Sequence, residues 1–179
     1  MPVKSALLII DMQTALVTGA YDEAKVLRAI NSVIHNARRA GSPIIFIQHN
    51  HQNFEPLRKG NEGWKIHPAL APEPGDLLIE KEASDAFYRT KLEEELRRLD
   101  ITTVVVCGMQ TEYCVDATCR AALSRDFDVE LISDGHTTGP SHLSAPEIID
   151  HHNTVLANLA HPHTSIRVVP AADANFRIP

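Results

Sequence analysis

Short apolar runs alternate with segments of helical periodicity along the whole chain. Ala6 to Ile10, Ile44 to Ile47, Leu77 to Ile79, Val104 to Val106, Val129 to Ile132 and Ile166 to Val169 read as strands buried on both faces. Between the first two runs, Val26, Leu27, Ile30, Val33, Ile34 and Ala37 recur at helical spacing, and Gly41 followed by Pro43 supplies the stop. Thr90-Lys91-Leu92-Glu93 has the form of a capping box ahead of the stripe Leu92, Leu96 and Leu99. Ser144-Ala145-Pro146-Glu147 repeats that form before Ile148, Ile149, Val155, Leu156 and Leu159. Strand and helix in alternation call for right-handed crossovers, so the fold class is α/β, a three-layer α/β/α arrangement around a parallel sheet. The segment from Asn50 to Asp76 interrupts the pattern; rich in Pro, Gly, His and Asn, it is too long for an ordinary connection and is a candidate substrate-covering loop.

In open parallel sheets ligands bind beyond the carboxyl ends of the strands. The residues at those ends here are Asp11, then Gln48 and His49, then Lys81, then the 108–114 segment, then Asp134. Asp11, Lys81 and Cys114 each follow a different strand by a similar short margin, so the fold class alone brings a carboxylate, an ammonium and a thiol to one edge. Cys114 sits about one turn into a helix that starts behind the fourth apolar run, where unpaired N–H groups and the helix dipole favour a thiolate and a transient oxyanion. Lys81 and the helix are expected to lower the thiol pKa, and Asp11 to take the thiol proton and return it to a leaving amine.

The chain has 179 residues, enough for one substantial core, and no linker composition divides it, so it reads as a single domain over 1–179. A net charge of -6 with scattered basic residues argues against a nucleic-acid partner, and no apolar run approaches a membrane span. Met1-Pro2-Val3-Lys4 runs straight into the first strand without a leader-like segment. The three cysteines, Cys107, Cys114 and Cys119, form neither an even disulfide framework nor a zinc spacing, which makes a reducing cytoplasm the simplest location.

Three segments carry a family resemblance: Leu8-Ile9-Ile10-Asp11-Met12-Gln13; Ile79-Glu80-Lys81 with Asp85-Ala86-Phe87 and Thr90; and Gly108 to Asp116. In these the chain resembles the isochorismatase-like cysteine hydrolase superfamily, which includes nicotinamidases and N-carbamoylsarcosine amidohydrolases. The resemblance implies a six-stranded parallel sheet, a catalytic triad of Asp11, Lys81 and Cys114, and a non-proline cis peptide between Met109 and Gln110. It also implies an oxyanion hole from the Gln110 and Cys114 backbone N–H groups. The activity implied is cleavage of a C–N bond in a small amide, carbamoyl or related compound through a thioester. Gln13, His49, Trp64, Phe87, Thr111 and Tyr113 are the expected pocket residues, although Trp64 could equally fill core beneath its loop.

The chain departs from the nicotinamidases of this superfamily after the second strand. Where they carry an Asp-x-His metal pair, His49 and His51 stand here, so the carboxylate is missing. No cofactor is expected; a zinc or other divalent site would have to be built from His49, His51 and His67. His136, His142, His151, His152, His161 and His163 are assigned to surface or subunit contacts, and the expected partners are a small-molecule substrate and further copies of the chain in a dimer or larger homo-oligomer. Two other functions stay open: a vinyl-ether hydrolase that does not need the cysteine, and a non-catalytic binding protein on the same fold.

Overall fold

The computed structural model describes residues 4–70 and 72–176; the expectation made on Met1 to Val3 lies outside them. Six strands form one wholly parallel sheet: β1 (Ser5–Ile10), β2 (Ile44–His49), β3 (Leu77–Lys81), β4 (Thr103–Met109), β5 (Asp128–Thr137) and β6 (Ile166–Val169). Their order is β3-β2-β1-β4-β5-β6. The helices are α1 (Thr14–Val17), α2 (Glu23–Ala40), α3 (Leu92–Arg98), α4 (Asp116–Leu123) and α5 (Ala145–Ala157). None of them is long and apolar enough to cross a membrane.

Side-chain alternation along the central strands splits the core into two layers. Ala6, Leu8 and Ile10 of β1 face Leu92, Leu96, Cys119 and Leu123 from α3 and α4, together with Leu156 of α5. Leu7 and Ile9 face Val26, Leu27, Ile30, Val33 and Ile34 of α2 on the other side. The α2 stripe is buried as its spacing predicts, and Gly41 ends the helix in the left-handed region at φ 66. Ser144 and Glu147 form the reciprocal capping box that opens α5.

Three expectations change. Burial on both faces holds for the inner strands but not at the edges: Leu78 and Glu80 of β3 point outward, and only Ile166 of β6 is buried. The capping box at Thr90 does not form, because Thr90 Oγ1 accepts from the Leu92 N–H while Glu93 turns to Arg125 Nε at 3.2 Å. β5 runs on past Ile132, pairing His136 with Gly108 and Thr137 with Met109 after a register shift between Val106 and Gly108. Asp134 is therefore inside the strand, where its Oδ1 accepts the Ala171 N–H.

At that register shift Gly108 adopts φ +125, and a Cβ there would overlap the Ile10 carbonyl. The backbone of β4 can approach β1 this closely only without a side chain. Gly108→Ala is therefore expected to cost about 4 kcal/mol or more, read as a large drop in melting temperature or loss of soluble protein.

Candidate active site

β1 sits between β2 and β4, so the crossover direction reverses there and the crevice opens at the carboxyl ends of β1 and β4. Asp11 leaves β1 with φ 48, a left-handed turn that Asp tolerates better than most residues. Lys81 ends β3, and His49 ends β2 opposite Lys81 in the register. After β4 the Met109–Gln110 peptide is cis, and Thr111–Val115 forms one wide π-turn that carries Cys114 into α4.

These elements bring three side chains and one backbone carbonyl together around one ammonium. Lys81 Nζ lies 2.7 Å from Asp11 Oδ2, 3.0 Å from His49 Nδ1, 3.0 Å from the Ala83 carbonyl and 3.2 Å from Cys114 Sγ. The Lys81 and Asp11 side chains are 0% and 1% exposed. Oδ2 has the ionic contact with Lys81, and among the described residues neither carboxylate oxygen has a hydrogen-bond partner.

The thiol differs from the expectation of a lowered pKa. Burial, followed by the charge of Asp11, pushes Cys114 up to about 12, and the opposing effect of Lys81 is smaller. Relative to an ordinary thiol, the resting site thus favours the protonated form by something on the order of 4 kcal/mol. Losing its proton to water would leave the cluster with a net negative charge. Passing the proton to a neighbouring base would keep the cluster neutral. Cys107 and Cys119 are wholly buried free thiols, and burial raises both.

The expected pocket residues divide. Gln13 is fully buried and clamps the β2 end: its Oε1 accepts the His49 N–H at 2.8 Å, and its Nε2 donates to the carbonyls of His49 and Trp64. Gln48 Nε2 also donates to the Trp64 carbonyl. Trp64, in the loop from Asn50 to Asp76, is half-buried, with its indole N–H on Asn50 Oδ1. Phe87 stacks on Phe127 in the core layer that also contains Cys114, so its ring packs beneath the site instead of facing an open pocket. Thr111 is fully buried and bonded to His136, whereas Tyr113 is 55% exposed. His49 does line a cavity, of about 440 Å³, with Asn50, His51, Gln52, Asn53 and Glu82 among its walls.

The candidate metal set is not assembled. His67 faces Glu23 at 4.0 Å and accepts the Ala69 N–H, and His51 stacks against His49 with ring centroids 5.7 Å apart. Among the described residues, ligand atoms come within metal-binding reach only at Asp11, His49 and Cys114. Lys81 Nζ already contacts all three of those atoms, so a divalent ion placed among them would meet an ammonium at close range. The donor set fits the lysine and does not fit a metal beside it.

His136 also departs from expectation, because it is buried and not a surface residue. Asn153 Nδ2 donates to the Ser133 carbonyl, which leaves its Oδ1 to accept from His136 Nε2 at 2.9 Å. His136 Nδ1 must then carry the lone pair, and it accepts from Thr111 Oγ1 at 2.9 Å. The relay ties the first residue of the Cys114 turn to α5. Its only sequence signal is the position of His136 within a strand longer than the apolar run suggests.

The isochorismatase domain family matches the chain over residues 5–166, and the chain belongs to that family of hydrolases. Streptothricin hydrolase of Streptomyces noursei is 34% identical over 136 residues, which are 74% of this chain and 54% of that protein. The chain thus spans about half the length of that relative. The isochorismatase family protein YrdC of Bacillus subtilis is 36% identical over 138 residues, covering 73% of this chain and 72% of its own. The crystal structure of N-carbamoylsarcosine amidase from Thermoplasma acidophilum superposes with a TM-score of 0.80 at 26% identity, over 96% of this chain and 99% of the other.

The buried His136 makes stability depend on pH. Burial lowers its pKa from the ordinary 6.5 to about 4, so an unfolded chain takes up a proton that the folded protein refuses. Stability is expected to fall as the pH drops through that window and, for this group, to level off below it. The contribution is on the order of 3 kcal/mol. His136→Asn keeps an acceptor for Thr111 but cannot titrate. Denaturant titrations from pH 7 to 4 should therefore show a shallower decline for the variant than for the wild type.

Proposed function

We propose that this chain is a cysteine hydrolase that cleaves a C–N bond of a small amide, carbamoyl or related compound through a thioester on Cys114. The observation that carries the reading is the buried Lys81 ammonium spanning Asp11 Oδ2 at 2.7 Å and Cys114 Sγ at 3.2 Å. Likeness to a solved amidase supports the C–N bond as the target. A vinyl-ether hydrolase would have no need of a thiol at the meeting point of these charges, and a binding protein would have no need of a buried carboxylate with an unclaimed oxygen.

In the first half-reaction the Cys114 S–H proton passes to Asp11 and the sulfur attacks the substrate carbonyl carbon. Lys81 keeps its contact with the sulfur as negative charge develops there. The tetrahedral oxyanion is received by the backbone N–H groups of Gln110 and Cys114; among the described residues the Gln110 N–H donates to no other acceptor. Collapse breaks the C–N bond, and Asp11 gives its proton to the leaving nitrogen. In the second half Asp11 takes a proton from water, the hydroxide oxygen attacks the thioester, the C–S bond breaks, and the proton returns to sulfur. The net reaction consumes one water and releases an acid and an amine or ammonia.

The test is an ammonia-release screen over primary amides, carbamoyl amines, ureido acids and lactams. Turnover of at least one class is expected, with Cys114→Ser and Asp11→Asn slower by at least ~10²-fold and chelator treatment without effect. Iodoacetamide should label Cys114 ahead of Cys107 and Cys119. No turnover of any class, together with an unreactive Cys114, would refute the reading.

A further inference from the structure

The ammonium of Lys81 has three protons and four acceptors around it: Asp11 Oδ2, the Ala83 carbonyl, His49 Nδ1 and Cys114 Sγ. Its hydrogen bonds go to His49, Ala83 and Cys114, while Asp11 Oδ2 is held as an ion pair without a hydrogen bond. His49 Nδ1 accepts, which places the ring proton on Nε2. The same Nδ1 lies 3.7 Å from Cys114 Sγ, within hydrogen-bond reach for sulfur, and 3.6 Å from Asp11 Oδ2. Gln13 holds the His49 backbone through both its N–H and its carbonyl.

We propose that His49 is a fourth catalytic residue, sharing with Asp11 the removal of the Cys114 proton. The S–H bond breaks, an Nδ1–H bond forms, and the electron pair stays on sulfur. In the same movement the Lys81 N–H that was on Nδ1 turns to Asp11 Oδ2, 2.7 Å away and without a hydrogen bond in the resting site, while another Lys81 N–H stays on the sulfur. One hydrogen bond is exchanged for another, so no donor is stranded. The imidazolium then lies 3.6–3.7 Å from two anions, Asp11 and the thiolate, while Lys81 at 3.0 Å opposes it. Two cations and two anions keep the cluster neutral. When His49 rather than Asp11 has taken the thiol proton, the imidazolium delivers it to the leaving nitrogen, and in the second half-reaction His49 takes a proton from water and returns it to sulfur.

Exposure separates the two bases. Asp11 is sealed at 1%, whereas the His49 side chain is 14% exposed and lines the cavity of about 440 Å³ at the mouth. His49 is therefore the base that a small molecule in that cavity could replace.

This assignment rests on the cysteine hydrolase reading, and its test separates the two. Cys114 alkylation by iodoacetamide is followed by mass spectrometry at neutral pH in the wild type, His49→Asn and His49→Ala, with thermal melts confirming that the variants fold. Asn places an oxygen near Nδ1 that accepts from Lys81 but cannot take the thiol proton. His49→Asn is expected to label at least tenfold more slowly than the wild type. His49→Ala should be slow as well and should recover several-fold with added imidazole, which fits the vacated space; His49→Asn should not recover. Wild-type rates in His49→Asn, or His49→Ala unmoved by imidazole, would overturn the role of His49 and leave the hydrolase reading standing. A wild-type Cys114 no more reactive than Cys107 and Cys119 would overturn both.

Discussion

Taking an ammonium out of water costs several kcal/mol, and at the carboxyl edge of this sheet that cost is met by placing Lys81 against a carboxylate, a carbonyl, an imidazole and a sulfur at once. Each of those partners depends on the lysine in turn. Without it Asp11 would be a buried anion with no counter-charge, and the sulfur would have no cation to face when it becomes negative. The strand order supplies the geometry: β2 lies between β1 and β3, so His49 arrives between Asp11 and Lys81. β4, on the other side of β1, delivers the thiol.

The sheet was legible in the sequence because its strands are short apolar runs that the helical stripes separate cleanly. Asp11, Lys81 and Cys114 could be brought to one edge because strand-end position needs only topology. His49 was seen as a pocket residue, but its contact with the lysine, the carboxylate and the sulfur follows from strand order and register, which periodicity does not carry. His136 was missed for a related reason: the polar residues of Ser133-Asp134-Gly135-His136 end the apolar run while the strand continues beneath them. The Thr90 box failed because Arg125, distant in sequence, competes for Glu93.

The direction of the thiol shift shows why residue types alone do not fix chemistry. A cation and a helix start beside a cysteine suggest an acidic thiol, yet burial and the adjoining carboxylate outweigh them. What the residues define is a neutral cluster in which charge can be rearranged without being created. Gln13 and the loop from Asn50 to Asp76 keep that cluster closed, since the Trp64 carbonyl is tied to both Gln13 and Gln48 and the Ile66 backbone pairs with Gln13.

The lysine reaches the site from an edge strand. β3 has one neighbour, β2, and its outward residues, Leu78 and Glu80, face solvent. Its hold on the sheet is therefore weaker than that of β1 or β4, which are paired on both sides. Fraying of that margin would withdraw the central cation while most of the hydrophobic layers stayed intact. The cation on which the whole buried cluster depends is thus carried by a margin of the sheet and not by its centre.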